Sequence, residues 1–333
     1  MPSSRRPSTL AIVAALGTVY VVWGSTYYAI AVMVETLPPL LAAGFRYALA
    51  GVLMLTFLVA RDRWRRRRAS RGDGEGAGLI SRPRFVEWRT AAIVGILLLL
   101  GGNGGVVLGE QRIPSGIAAV IIATTPIWMN VADGFLHRRS PGRLAGGGLL
   151  VGLIGVALLL YPARGADALD PIGIGLVVAA SLSWAAGSLY ARRGQLPRNQ
   201  LVGSGMEMLC GGVALLLVGA LGGEVGHTDP SHFSTASLLA VAYLVVIGSL
   251  VAFSAYAWLL GNVPISTVST YAYVNPIVAV ALGTMLRGEQ ITPRTLLAAA
   301  LILGAVVAMV SGRLRTDEPG PAPEAATLEA DSP

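Results

Sequence analysis

Apolar runs of close to twenty residues, separated by short polar or Gly/Pro-containing breaks, recur along the chain from Thr9 to Ser311. About twenty such residues cross the roughly 30 Å hydrocarbon core of a bilayer as an α-helix. A helix also satisfies its backbone polar groups internally, as lipid requires. Barrel strands would read instead as short alternating stretches. The pattern therefore predicts an all-α membrane protein with ten transmembrane helices, near 9–33, 39–60, 90–108, 115–136, 143–162, 172–191, 200–222, 236–260, 264–286 and 294–312. Residues 61–89 read as a cytoplasmic Arg-rich loop, and the Pro/Ala/acidic stretch 313–333 as a disordered cytoplasmic tail. Arg5 and Arg6 before the first run, with Ala29-Ile30-Ala31 near its end, resemble a signal peptide. The run is long for one and matches a later internal segment, so a retained first helix is expected.

Arginine placement orients this arrangement. All 25 basic residues are Arg. With both termini in the cytoplasm, twenty fall on the inner side, including the ten from Arg61 to Arg89. Only Arg112, Arg164, Arg287 and Arg294 fall outside, and Arg46 lies within a span. Such an asymmetry follows the positive-inside rule. The net charge of +7 is thus assigned to topology and to anionic headgroups near Arg63–Arg68, and no nucleic-acid partner is expected. Charged residues make up 13% of the chain, too few to clothe a soluble body. The single cysteine, Cys210, excludes an intrachain disulfide.

The halves can be laid over each other. At an offset of 161, Trp23 meets Trp184, Gly44 meets Gly205, Arg46 meets Glu207 and Gly51 meets Gly212. At an offset of 150, Pro114 meets Pro264 and Pro126 meets Pro276. Repeats of five helices, 1–162 and 163–312, must lie in opposite orientations. Inverted repeats with a solute site near the midplane are a transporter architecture.

The segments WGSTYYAI (23–30), PPLLAAGFRYALAG (38–51) and GNGGVVLGEQRIPSGIAAVIIATTPIW (102–128) resemble those of EamA-type transporters in the drug/metabolite transporter superfamily. SWAAGSLYARR (183–193) and VPISTVSTYAYVNPIVAVALG (263–283) echo them in the second half. The resemblance implies two EamA repeats working by alternating access, typically exporting amino acids, other metabolites or drugs. It implies a cavity lined mainly by the first, third, fourth, sixth, eighth and ninth helices, with the fifth and tenth peripheral. The related four-helix multidrug exporters use a Glu in their first helix for proton coupling. Here no acid precedes Glu35, so that mechanism does not carry over.

Candidate site residues follow from polar and aromatic positions inside spans. Pro126 and Pro276 each free a carbonyl one turn back, near Ile122 and Ala272, and are hinge candidates or static kinks. Thr267, Tyr271 and Asn275 share one face of the ninth span. Thr124 and Trp128, Trp184 and Ser188, Tyr256, Asn103, Trp23 and Thr26 complete the expected substrate-binding lining. Rings give contact area and hydroxyls give orientation for a zwitterionic or amphipathic solute. Packing between helices is the competing role for each hydroxyl.

Arg46 and Glu207 are the coupling candidates. Each lies about 10 Å into its helix from opposite faces, so direct pairing is not expected. Glu207 reads either as a proton carrier or as a structural acid, and Arg46 either as an anion ligand or as a snorkelling side chain. Glu224, His227, Asp229 and His232 show no ligand pattern, and neither metal nor cofactor is expected. Pairs such as Gly101–Gly105 suit close internal packing and leave a homodimer open.

The leading reading is a secondary carrier of the bacterial plasma membrane, its partners being the bilayer, a small-molecule substrate and, through Glu207, protons. An organic-phosphate or nucleotide-sugar exchanger would want several interior basic residues. A membrane-embedded enzyme would want convergent catalytic groups, which the spans lack.

Overall fold

The computed structural model describes residues 8–69, 82–137, 143–160, 169–263 and 271–316. In chain order the rods are α1 (Thr9–Met33), α2 (Pro39–Ala69) and α3, which is α-helical over Phe85–Gly95, π-helical over Ile96–Gly104 and α-helical again over Gly105–Gly109. Next come α4, in two pieces Ser115–Ile122 and Thr125–His137, α5 (Arg143–Leu160), α6 (Pro171–Arg193) and α7 (Gln200–Leu221). Then α8 runs through Thr235–Tyr243, a π-helical Leu244–Val251 and Ala252–Asn262, followed by α9 (Tyr271–Arg287) and α10 (Pro293–Thr316). Six of these rods, α1, α2, α3, α6, α7 and α8, are long and apolar enough to cross a bilayer, with mean hydropathy of 1.6 to 2.4. Shorter apolar stretches lie in α4, α9 and α10. No strand occurs among the described residues.

Local chemistry sets the helix starts. Ser8, Asp170, Asn199 and Ser234 each accept from a backbone amide at the head of α1, α6, α7 and α8, replacing bonds the first turn lacks. Glu87 closes α3 by accepting from the Arg84 amide at 2.6 Å, so that helix begins five residues before the expected position 90. The Arg-rich stretch expected as a loop from 61 is helical to Ala69. Arginine is a good helix former, Asp62 pairs with Arg66 one turn on at 2.7 Å, and Arg66–Arg68 complement the negative helix end. In the same way α10 runs to Thr316, beyond the expected 312.

Glycines let the rods approach. The closest approach to backbone is at the crossing of α2 on α7, where a Cβ added at Gly212 would stand 2.3 Å from the Ala48 amide nitrogen. At Gly24 of α1 it would stand 2.6 Å from Val278 of α9, and at Gly155 of α5 2.7 Å from Ile302 of α10. Without lipid-excluded apolar surface to drive association, close van der Waals contact of this kind holds membrane helices together. One buried cluster joins α1, α2, α3, α7 and α8, and a second joins α4, α6 and α10. The helices α5 and α10 pack chiefly on each other.

Candidate substrate site

A cluster of four rings lies where α1, α8 and α9 meet. Trp23 stands at its centre, 5.4 Å from Phe253, 5.0 Å from Tyr256 and 5.0 Å from Tyr271, and Tyr256 lies 6.0 Å from Tyr271. Three of these contacts are edge-to-face, an arrangement worth about 0.5–1.5 kcal/mol each beyond area burial. Fully buried Val19 and Leu259 back the cluster. Three of the expected lining residues, Trp23, Tyr256 and Tyr271, are thereby brought together. Phe253 joins them because it lies one turn from Tyr256 on α8. Thr26 spends its hydroxyl on the Trp23 carbonyl at 2.6 Å.

Arg46 is 3% exposed and reaches from α2 to α8. Its Nε donates to Ser249 Oγ at 3.3 Å, its guanidinium carbon sits 4.4 Å above the Tyr47 ring, and its Nη1 is buried without a partner. A charge within a span costs roughly 2.5–3.5 kcal/mol on insertion scales. The desolvated ring contact offsets about 2 kcal/mol of that. The guanidinium is held inside and does not snorkel to the outer surface.

Glu207 is half-buried on α7, within electrostatic reach of Tyr256 and Cys210. Among the described residues no ion pair joins it to Arg46, and Arg46 reaches Ser249 instead. Arg46 donates to Ser249 of α8, and Glu207 acts electrostatically on Tyr256, seven residues or about 10 Å further along that helix.

Other expected lining residues are tied to the protein itself. Where α4 breaks, Thr125 donates to the Ile122 carbonyl at 2.6 Å, and Thr124 to the Ile121 carbonyl at 2.6 Å. The carbonyl that Pro126 frees is thus satisfied one turn back. Ser181 of α6 bridges both threonines at 3.2 and 2.9 Å, and Trp128 Nε1 donates to Thr124 at 3.0 Å. In α9, which Pro276 interrupts, the Asn275 amide nitrogen, turned toward them, donates to the Tyr20 and Tyr271 carbonyls at 3.2 Å each. Trp184 packs against Gly102 of the α3 π-segment, and Ser183 donates to the Leu97 carbonyl at 2.7 Å. Asn103, in that segment, has its Oδ1 buried without a partner. Ser188 is half-buried on α6, and Thr267 lies outside the described residues.

Acids at several rod ends make caps and pairs that the sequence reading did not assign them. Glu289, after α9, accepts from the Ser115 amide and hydroxyl at 3.0 and 2.7 Å and from the Gly116 amide at 3.2 Å, capping α4. Arg287 bonds Glu35 at the end of α1 and lies 3.7 Å from Glu289. Glu224 caps α2 through the Leu40 and Leu41 amides at 3.1 and 2.9 Å. Both oxygens of Glu110 are buried without a partner, and burial, then the neighbouring Glu289, pushes its carboxyl well above the usual range. A signal for two of these was present: Gly-Glu-Gln occurs at 109–111 and again at 288–290. Among the described residues no three His, Cys, Asp or Glu side chains converge as metal ligands.

A helical bundle of membrane-length rods with aromatic and charged side chains in its interior defines a polytopic membrane protein. The chain belongs to the EamA-like transporter family, whose sequence profile matches residues 9–161 and again 171–311. It is 38% identical over 305 residues to the "Uncharacterized inner membrane transporter YedA" of Escherichia coli K12, covering 91% of this chain and 92% of that one. A Salmonella typhimurium protein named "Probable amino-acid metabolite efflux pump" is 23% identical over 323 residues, covering 93% of this chain and 96% of that one. A solved crystal structure superposes with a TM-score of 0.58 at 19% identity, covering 93% of this chain and 100% of its own, so the fold is shared.

Proposed function

We propose that the chain is a secondary carrier of the bacterial inner membrane that exports small metabolites such as amino acids, or amphipathic drugs, by alternating access. The two successive family matches carry this reading, since each is about the length of a five-helix repeat. We place ten spans in two inverted repeats, 1–162 and 163–312, with both termini in the cytoplasm. Trp23, Tyr256 and Tyr271, with Arg46 and Glu207 on either side along α8, form the proposed solute path. The names borne by the Escherichia coli and Salmonella relatives support the membrane and the direction.

An interior with one buried guanidinium, Arg46, among the described residues fits a phosphate or nucleotide-sugar exchanger poorly, because a dianionic group calls for several basic donors. Counterflow in proteoliposomes against amino acids, nucleosides and cationic dyes tests the proposal. Saturable exchange of at least one solute is expected, abolished by Trp23→Ala. Absence of exchange with all three classes overturns it.

A further inference from the structure

Glu110 follows the last turn of α3 and is 8% exposed, yet both of its carboxyl oxygens are buried without a partner. Buried polar atoms normally find partners, and a buried carboxylate without one is neutralised instead. The groups that act on Glu110 come from two helices. Tyr27 of α1 lies within its electrostatic reach, as do Arg287 and Glu289 at and beyond the end of α9. The helix α6, which packs on Gly109, offers Asp170, already paired with Arg112. The helix α2 carries no titratable group before Arg46.

Glu289 is built into its place beside Glu110. At Gly288 the chain turns back with a φ of 65°, a conformation that favours glycine, and the Glu289 amide donates to the Gly283 carbonyl at 3.1 Å. A Cβ added at Gly283 would stand 2.3 Å from Glu289 Oε2 and 3.2 Å from Ser115 Oγ, so the glycine leaves the acid its path across α9. The carboxylate accepts from the Ser115 amide and hydroxyl and from the Gly116 amide, and three donors thereby meet its charge. Arg287 is bonded to Glu35 and stands 3.7 Å from Glu289, so its charge is already shared between two acids. An ionised Glu110 would be a third acid there, buried, with no donor of its own and a like charge beside it.

We infer that Glu110 is a proton site that latches this end of the bundle: it carries a proton for as long as Glu289 stays docked on α4, and yields it to water when that contact parts. The carboxyl O–H bond breaks, the proton passes to water, and the carboxylate left behind is hydrated. Burial, then Glu289, raise the Glu110 carboxyl well above the usual range, with Arg287 acting against them. The proton follows from the site itself; the parting rests on the carrier reading, in which each end of the path opens in turn. The closed end binds one proton more than the open end, so rising pH favours opening. Between the ordinary glutamate value of about 4.3 and the raised one, the closed-to-open ratio falls about tenfold per pH unit. A hard metal cation would ask for about six oxygen ligands, whereas Glu110 offers two.

Two measurements on the full chain in liposomes, at equal pH on both sides and without solute, test the latch. Nitroxide labels on Gln111→Cys and Gln290→Cys, both exposed positions, in a Cys210→Ser background report the distance across it by pulsed electron resonance. With Glu110 intact, the ratio of short to long distances is expected to fall about tenfold per unit as the pH is raised from about 5 to about 8. Glu110→Gln should hold the short distance at every pH, and Glu110→Asp should restore the dependence. In infrared spectra at neutral pH, the wild type should show a protonated carboxyl band that Glu110→Gln lacks. Should Glu110→Gln misfold, the pH series on the labelled chain that keeps Glu110 decides alone. A distance that ignores pH with Glu110 intact, or no such band, overturns the latch. A short-distance population that follows sodium concentration at fixed pH overturns it too. Solute exchange in counterflow together with a pH-independent distance overturns the latch and leaves the carrier reading standing. A pH-dependent distance with no exchange of amino acids, nucleosides or dyes overturns the carrier reading and leaves the proton site in place.

Discussion

Gly51 of α2 lies against Gly205 of α7, so closely that a Cβ on Gly51 would stand 2.8 Å from the Gly205 carbonyl oxygen. The crossing has a reciprocal partner, for Gly44 stands in the same relation to the Gly212 carbonyl at 3.0 Å. Gly44 and Gly205, like Gly51 and Gly212, are equivalent under the 161-residue offset. Exchanging the halves therefore maps each contact onto the other, as two rods related by a two-fold axis require. The paired π-segments at Ile96–Gly104 in α3 and Leu244–Val251 in α8 fall at corresponding places too.

A side chain at this crossing cannot be absorbed by rotamer change, since what it meets is backbone. Gly212→Val, whose Cβ would stand 2.3 Å from the Ala48 amide nitrogen, should cost more than the usual 1–3 kcal/mol of an overpacked core. The expected result is loss of the monodisperse peak in detergent gel filtration. Gly175→Val, with open space around it, should elute as the wild type does.

Glu289 and Ser115 tie the second half to the first at the head of α4, and the bond satisfies α4 amides that have no helical partner. Glu289→Ala leaves those donors unpaired and should destabilise by about 1–3 kcal/mol. Adding Ser115→Ala to Glu289→Ala should cost less than its effect on the wild type, because the shared bond is already gone. Thermal unfolding in detergent measures both.

How much of this was legible in the chain differs from feature to feature. Run length alone located the rods, because lipid forces each apolar stretch to satisfy itself locally. Pro126 marked the break in α4, and Arg46 and Glu207 stood out as charges in spans. The trans caps did not stand out, since the Glu289–Ser115 and Glu224–Leu40 partners are 174 and 184 residues apart. The π-segments escaped notice because composition does not separate them from α-helix; they arise where α3 meets Ser183 and α8 meets Arg46. Of the hydroxyl lining, Thr124 proved occupied by Ser181, a pairing that spacing within one helix cannot reveal.

The exposed Arg112–Asp170 pair, 2.9 Å long, offers a pH test outside the membrane. The Arg112 hydrogen bond, then the Ile172 amide, holds the Asp170 carboxyl below the ordinary carboxylate range. A carboxyl depressed on folding adds stability above its unfolded pKa of about 3.9, and that contribution fades as pH falls through the folded value. Asp170→Asn keeps a capping side chain for α6 and removes the titration. Its melting temperature should match the wild type below the folded value and trail it slightly near neutrality, with the gap shrinking in high salt.

The ring cluster predicts a split between transport and folding. Tyr271→Phe keeps the 5.0 Å edge contact with Trp23 and should retain near-normal thermal stability. Tyr271→Ala removes two edge contacts at about 0.5–1.5 kcal/mol each and should slow counterflow at least tenfold. Wild-type counterflow from Tyr271→Ala would remove α9 from the solute path.

Glu207 has a half-buried carboxylate near Tyr256 and no arginine paired to it among the described residues, an arrangement suited to taking up and releasing a proton in the alternating-access cycle proposed above. If protons drive export through it, Glu207→Gln fixes the site in its neutral form. Solute accumulation driven by an imposed pH gradient should then fall to background, whereas exchange at equal pH continues, because exchange needs only the solute to return on the carrier. An accumulation as large as the wild type's would assign coupling elsewhere. Loss of both gradient-driven and exchange flux would instead assign Glu207 to holding the solute. Measuring both fluxes on one preparation separates these roles.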